Sequence, residues 1–279
     1  PPKAATDVFA PNFYGTSGYV GYLGAPADMT MLGYRSGNSQ NAVIRTRMLP
    51  NTKGLVTSST AAEVTTNSSW DNMLGITPVG STITTLISWT WKRAPGYFDV
   101  VAYTGNSTAG HNVSHNLGVA PEMMWVKERA QANSWQVYHS SLPNTSYMSL
   151  NTDGAEATSG TTRWNSTDPT DSVFTLGTDT RVNNDQSLYI SYLFTTLDGI
   201  SKVGGYTGNG SSQTIDCGFT SGARFVLIKN RSQGYWIVYD SVRGIVAGND
   251  AALFLNTDAE DSGHDQIDPA SSGFTVVFD

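Results

Sequence analysis

Apolar and polar residues alternate along much of the chain, in short runs that are bounded by turn-forming residues. The run 188–194 places Ile190, Tyr192 and Phe194 on one face, and the run 86–91 alternates in the same way. A period of two is typical of a β-strand, in which successive side chains point to opposite sides. Runs rich in Val, Ile, Tyr, Trp and Phe predict further strands at 98–103, 122–128, 134–139, 146–151, 172–176, 223–229, 235–239, 251–255 and 273–278.

Turn signals separate these runs, as at Pro143-Asn144 and Asn209-Gly210, and no long segment has helical spacing. About six to eight short strands per hundred residues, with no helices to cover a sheet, favour a β-sandwich. We therefore predict an all-β fold made of tandem β-sandwich repeats of about 100 residues each. The order of the strands, jelly-roll or Ig-like, stays open at this point.

The tandem prediction comes from internal repetition. The motif at 101–106 returns at 204–209, an offset of 103 residues, and Trp-Gln-Val-Tyr at 135–138 returns as Trp-Ile-Val-Tyr at 236–239. Ordered matches at a near-constant offset indicate one structural unit used repeatedly. A more diverged copy lies in front, where 49–52 matches 142–145 at an offset of 93 residues.

These matches divide the chain into three segments. We predict a diverged sandwich at 1–97, a sandwich at 98–200 and a third sandwich at 201–279. The third copy has no counterpart of the run 188–197 in the second. Either truncation has removed this last strand or a partner chain supplies it, and the sequence leaves both explanations open.

Composition narrows the possible partners. Only 14% of residues are charged, the net charge is −7, and no basic cluster occurs along the sequence. Nucleic acids and anionic membranes require Lys/Arg patches, so we expect neither as a partner. Cys217 is the only cysteine, which rules out a disulfide within the chain, and no apolar stretch is long enough for membrane insertion.

Motifs for catalysis are absent from the sequence. It contains neither a Gly-x-Ser-x-Gly elbow nor a His-Glu-x-x-His zinc motif. His111 and His115 are four apart on a predicted strand, hence about 13 Å apart, too far to share a metal ion. We therefore predict no enzyme, no catalytic residue, no metal and no cofactor. The acidic stretch 258–268 is a solvated loop or, less favoured, a calcium site.

Two tryptophans lie in polar stretches and suggest a binding site. Trp70 and Trp164 occupy matching positions in the first two segments. An aromatic ring in a loop can stack on the apolar face of a sugar, and such rings often anchor interfaces. We predict a glycan-binding site with Trp70, Trp164, Asn165 and Asp168. The alternative is that each tryptophan closes one open end of its sandwich.

The run 92–106, KRAPGYFDVVAYTGN, continues with HNLGVAPEMMWVK at 115–127 and WQVYH at 135–139, and ARFVLIKNRS at 223–232 follows the same pattern. These runs resemble a tandem block in structural proteins of tailed bacteriophages, particularly marine and cyanobacterial ones. The resemblance covers 85–279 well and 1–84 weakly. It implies an exposed component of a virion, often a tail fibre, and it brings no catalytic residues.

The resemblance and the repeats together favour a tail fibre or tail-associated adhesin that contacts host surface glycans. Its expected partners are other virion subunits, further copies of itself, with a trimer favoured, and host cell-surface polysaccharide. Several weak sites on repeated blocks gain strongly when they bind together. The alternatives are a purely structural virion protein, such as a capsid decoration protein, and, less favoured, a glycan depolymerase.

Overall fold

The computed structural model describes residues 2–13, 23–34, 41–66, 68–72, 75–78, 86–258 and 262–278. The strands of the first segment are β1 (Phe9–Phe13), β2 (Met29–Tyr34), β3 (Val43–Thr46), β4 (Lys53–Val56), β5 (Val64–Thr65), β6 (Ser68–Asn72), β7 (Gly75–Pro78) and β8 (Leu86–Trp91). Those of the second are β9 (Phe98–Thr104), β10 (His111–Ser114), β11 (Met123–Glu128), β12 (Gln136–His139), β13 (Ser146–Tyr147), β14 (Ala157–Thr158), β15 (Val173–Leu176) and β16 (Leu188–Phe194). Those of the third are β17 (Gln213–Asp216), β18 (Phe225–Lys229), β19 (Trp236–Asp240), β20 (Asp250–Phe254), β21 (Ser262–His264), β22 (Ile267–Ala270) and β23 (Gly273–Val276).

Helical structure within these ranges is confined to a 3-10 turn at Ala5–Asp7 and one short helix, α1 (Thr180–Asn183). The prediction of an all-β fold is confirmed. No helix in the described part of the chain is long and apolar enough to cross a membrane. Asp179 caps α1 by accepting a hydrogen bond from the Arg181 backbone amide, as short polar side chains commonly do at helix starts.

Each segment builds one main sheet, and the strand order of the three main sheets corresponds. The first is β1-β8-β2-β3-β4-β5. The second is β9-β16-β11-β12, continued by an isolated bridge from Val137 to Met148 that leads on to β13 and β14. The third is β18-β19-β20-β21, which matches the last four strands of the others. Every described sheet takes its strands from one of the three predicted segments.

Smaller sheets cover the outer faces of the second and third main sheets. β10 pairs with β15, and β17, β23 and β22 form a three-stranded sheet. Phe174 of β15 packs in one cluster with Met124 of β11, and Phe274 of β23 packs in another with Val226 of β18. These are the two layers that the sandwich prediction requires, since a sheet must bury its apolar face against another element.

The inner faces of all three main sheets meet in one shared core. Its members include Met31 and Trp89 from the first segment, Trp125 and Tyr192 from the second, and Val238 and Leu253 from the third. The three predicted segments therefore pack on one another through this core. The physical reason is that these sheets are apolar on both faces, and the face that the small sheets leave uncovered is buried against the neighbouring segments.

The same docking contacts join the second segment to the first and the third to the second. The indole nitrogen of Trp135 donates to the carbonyl of Val56 at 2.9 Å. That of Trp236 donates to the carbonyl of Ser149 at 3.0 Å. Trp135 corresponds to Trp236, and Val56 corresponds to Ser149 at the offset of 93 residues that relates the first two segments. Two buried indoles thus make equivalent hydrogen bonds across successive interfaces.

An ion pair also recurs at the same two interfaces. Arg129 forms an ion pair with Glu63 and accepts a backbone hydrogen bond from the amide of Glu63 at 2.8 Å. Arg231 forms the corresponding ion pair with Glu156, whose amide donates to the Arg231 carbonyl at 2.7 Å. Backbone and side chain of the same residue pair therefore fix the register of each interface.

The third segment also packs against the first segment, but through a different set of side chains. Ala42 stands where the other segments have tryptophan. Here the indole of Trp89 donates instead to the buried carboxylate of Asp240 at 3.1 Å. Arg243 donates to the same carboxylate oxygen at 2.6 Å, and its guanidinium lies 5.6 Å from the Trp89 ring. A buried ion pair replaces the repeated contact at this interface.

Candidate functional site

Trp164, the first glycan-binding candidate, lies inside the second segment. It is 1% exposed and belongs to the apolar cluster between the two layers of that sandwich. Its indole nitrogen donates to the Ser146 carbonyl at 2.9 Å, and its ring meets that of Tyr138 edge to face at 5.8 Å. Both ring faces are covered, so this tryptophan cannot stack on a sugar in the structure described. The burial agrees with the alternative that it closes one end of its sandwich.

Asn165 and Asp168 lie in the loop that follows. Asn165 has φ of 52°, a left-handed conformation that asparagine tolerates better than most residues. The Asp168 carboxylate accepts hydrogen bonds from the Asn144 amide at 3.1 Å and from the Tyr138 hydroxyl at 3.4 Å. Burial, followed by the nearby Asp168 charge, raises the pKa of Tyr138 to about 12, so its hydroxyl stays a donor to this carboxylate. Asp168 itself is exposed.

Trp70 has a similar setting in the first segment. It is 8% exposed, and it packs with Leu32 and Leu86. The guanidinium of Arg47 lies 5.5 Å from its ring centroid, in cation–π contact. Trp70 and Trp164 are therefore both buried, each in its own segment. Trp70 does not form one surface with Asn165 and Asp168. The glycan-binding role of the two polar residues stays a prediction.

Metal binding also lacks a suitable site in the described ranges. No group of three His, Cys, Asp or Glu side chains within them could hold a metal ion. Part of the acidic stretch, residues 259–261, lies outside the described residues. His111 takes part in a hydrogen bond of 2.9 Å with Asn183, which gives it a structural partner.

A cleft of about 520 Å³ lies at the N-terminal part of the described structure. This volume is in the usual range for sites that bind small molecules. It lies where the 3-10 turn meets the connection between β8 and β9. The lining includes Lys3, Thr6, Asp7, Leu23, Lys92 and Arg93.

The lining of the cleft has more cationic than acidic side chains, in contrast to the whole chain. Three cationic side chains line it against the one carboxylate of Asp7. Arg93 is held by an ion pair with Asp99 at 2.5 Å, and its backbone amide donates to Asp28 at 2.7 Å. Among the described residues, the ammonium groups of Lys3 and Lys92 have no hydrogen-bond or ion-pair partner. They are therefore free to meet an anionic ligand.

Sequence reasoning missed this cleft because its cations come from distant positions. Lys92 and Arg93 are adjacent, but the backbone amide of Lys92 donates to the Val8 carbonyl at 2.9 Å, which brings the N-terminal turn and Lys3 alongside. The only signal in the sequence was the Lys92-Arg93 pair itself, within a chain that is poor in charge.

One more buried charge lies at the interface between the first two segments. Lys127 is completely buried, and its ammonium group donates to the carbonyls of Glu128 at 2.8 Å, Thr60 at 3.3 Å and Gln131 at 3.4 Å. Burial lowers the pKa of Lys127 to about 8, and the Glu128 charge opposes this shift. The side chain is surrounded by backbone and is not accessible to a ligand, so we assign it a structural role.

The described residues thus form an all-β protein whose main sheets pack around a common core. A family model described as a domain of unknown function, DUF7483, matches residues 15–278, and the chain belongs to this family. The match runs through all three segments. No curated protein and no solved structure matches the chain.

Proposed function

We propose that the protein is a structural component of a tailed-phage particle, of the tail-fibre type, and that it acts by presenting binding surfaces. The resemblance of the runs at 92–139 and 223–232 to phage structural proteins supports the phage assignment. The observation that carries the structural part is the repeated docking of segments, through Trp135 on Val56 and Trp236 on Ser149. These hydrogen bonds between segments make the protein rigid, and they require no reactive side chain.

Labelling of intact particles tests this proposal directly. Antibodies raised against the purified chain are applied to virions of the phage that encodes it, and bound gold is located by electron microscopy. We expect label on the tail. Label on the capsid faces would favour the decoration protein, which is the main alternative. Absence of the chain from purified virions by mass spectrometry would refute both.

A second candidate function is contact with an anionic host polysaccharide, and the cationic cleft is the observation that favours it. Uronic acid carboxylates and sulfate esters are negatively charged, so they can form ion pairs with the ammonium groups of Lys3 and Lys92. Neutral glycans would gain nothing from these ammonium groups. The cleft thus replaces the two buried tryptophans as the place where we expect a sugar chain to bind.

Calorimetric titration with a polyuronate, a sulfated glycan and a neutral glycan tests this candidate. We expect binding of the anionic polymers, with affinity that falls as salt rises. The double variant Lys3→Ala/Lys92→Ala should bind about tenfold more weakly, since each exposed charge contributes up to about 1 kcal/mol. Lys53→Ala is the matched control, because Lys53 lies outside the cleft and donates to Thr65. Equal binding by control and double variant would exclude the cleft.

A further inference from the structure

Arg93 differs from the two lysines of the cleft because a buried carboxylate holds it in place. Its Nε atom donates to Oδ1 of Asp99 at 2.5 Å, and its backbone amide donates to the Asp28 carboxylate at 2.7 Å. The Asp99 side chain is 3% exposed, whereas the Arg93 side chain is 33% exposed. One side of the guanidinium is therefore fixed inside the protein, while Arg93 as a whole reaches the lining of the cleft.

The carboxylate of Asp99 is itself held by two backbone amides. Its Oδ1 atom also accepts a hydrogen bond from the Val100 amide at 2.9 Å, and its Oδ2 atom accepts one from the Asn116 amide at 2.8 Å. The strand β9 and the loop after β10 therefore fix the carboxylate, and the carboxylate fixes Arg93. A charged side chain that is held in this way loses less conformational entropy when it binds a ligand.

The outer edge of the Arg93 guanidinium is not used within the described part of the chain. A guanidinium carries five N–H donors, and Asp99 accepts only the one on Nε. Among the described residues, the Nη1 and Nη2 atoms have no hydrogen-bond or ion-pair partner. Their N–H groups are parallel and match the two oxygens of one carboxylate. Arg93 thus offers a directed two-point contact, which the ammonium groups of Lys3 and Lys92 do not.

The one acidic side chain of the cleft binds backbone instead of these cations. The Oδ2 atom of Asp7 accepts hydrogen bonds from the amides of Lys3 at 3.1 Å and Ala4 at 3.0 Å, at the start of the 3-10 turn. Within the described structure, Asp7 forms no ion pair with Arg93, Lys3 or Lys92. An anionic ligand therefore does not have to displace an internal carboxylate from the free edge of the guanidinium.

We propose that Arg93 recognises the anionic group of the ligand, and that the Nη1 and Nη2 atoms bind the carboxylate of a uronic acid through two parallel hydrogen bonds. Lys3 and Lys92 add attraction between charges without fixing a direction. Asp99 is a positioning residue, because it acts only through Arg93. This role rests on the contact with an anionic polysaccharide proposed above, and it identifies the chemical group that is bound.

Titration of the full chain with glucuronate, followed by NMR, tests the contact on a single sugar. We expect glucuronate to shift the Nε–H signal of Arg93 and the backbone amides at 92–94, and its uncharged methyl ester to shift neither. Arg93→Lys keeps the positive charge but loses the two-point contact, so it should bind glucuronate about fivefold more weakly. Arg181→Lys is the matched control and should bind like the parent, because Arg181 pairs with Asp179 outside the cleft.

A double-mutant cycle tests the positioning role of Asp99. Asp99→Asn removes the charge that holds the guanidinium, so it should also weaken glucuronate binding about fivefold. The double variant Asp99→Asn/Arg93→Lys should bind no more weakly than Arg93→Lys, because both substitutions remove the same contact. A loss of about 25-fold in the double variant would show that Asp99 acts independently of Arg93. Thermal unfolding checks that each variant is folded at the temperature of the titration.

The outcomes separate this role of Arg93 from the polysaccharide contact itself. Equal glucuronate binding by Arg93→Lys and the parent would overturn the role of Arg93. Binding of the polyuronate in the calorimetric titration, without any shift of the Arg93 signal by glucuronate, would overturn it too and would leave the polysaccharide contact intact. Glucuronate bound at Arg93 without polyuronate binding would support the carboxylate site and refute the polysaccharide contact alone.

Discussion

Removing the indole hydrogen bond of Trp135 is the sharpest test of how the segments dock. Trp135 is completely buried and reaches from the second segment to the Val56 carbonyl at 2.9 Å. In Trp135→Phe the carbonyl loses its partner, which costs about 1–3 kcal/mol for a buried group. The smaller ring also leaves a void. We expect unfolding free energy to fall by about 2–4 kcal/mol, below the ~3–5 kcal/mol of full truncation to alanine.

Urea unfolding measures the size of the effect, and hydrogen exchange measures where it is felt. Because Trp135 joins two segments, Trp135→Phe should speed exchange in the first segment near Val56 as well as in β12. Trp164→Phe is the matched control, because Trp164 donates to Ser146 within its own segment. It should cost a similar amount of stability while leaving first-segment amides unchanged. The same first-segment pattern in both variants, or no change in either, would refute the docking scheme.

Three further predictions follow from matched positions in the segments. Arg129→Met should cost about 1–3 kcal/mol in urea unfolding, because its ion pair is 15% and 14% exposed, whereas Arg231→Met, with Arg231 58% exposed, should cost less than about 1 kcal/mol. Equal costs would contradict the burial argument. Gly105→Ala should lower the free energy of unfolding by about 1–3 kcal/mol, because a Cβ atom there would lie 2.2 Å from the Asn184 carbonyl oxygen. Gly208→Ala, at the matching position of the third segment, should stay within about 1 kcal/mol of the parent, because nothing lies within 4 Å of its Cβ position. A pH series tests Lys127: its pKa is about 8 in the folded chain against an ordinary value of 10.5, so the unfolded state binds the proton more tightly. As the pH increases from about 8 to about 10.5, the free energy of unfolding of the parent should therefore rise relative to that of Lys127→Met. If the difference between the two proteins does not change with pH, the folded pKa is not lowered.

Short runs of aliphatic and aromatic residues predicted strands such as β16, because a strand that is buried on both faces is apolar at most of its positions. The run 188–194 has large apolar residues at both parities, and β16 is buried on both faces. The shared core did not follow from this pattern, since an apolar inner face looks the same whether it meets a second layer of its own segment or a neighbouring segment. That distinction lies in contacts such as Trp236 on Ser149, between residues far apart in sequence.

The candidate site shows the limit of local context. Trp164 lies in a polar stretch whose Thr162 and Thr167 are exposed, while its own ring turns inward onto Tyr138. The polarity of a stretch therefore does not predict how exposed a single side chain within it is. The cationic cleft was missed for the opposite reason, because no local window contains both Lys3 and Lys92. The pairing of β1 with β8, which the hydrogen bond from the Lys92 amide to the Val8 carbonyl continues, brings them together.

Small-angle X-ray scattering of the monomeric chain tests the shared core most directly. Three segments around one core should give a radius of gyration of about 19 Å, the value for one compact body of this length. Three separate sandwiches in a row would give a value above about 25 Å. A measured radius in that higher range, with a distance distribution extended to match, would contradict the account.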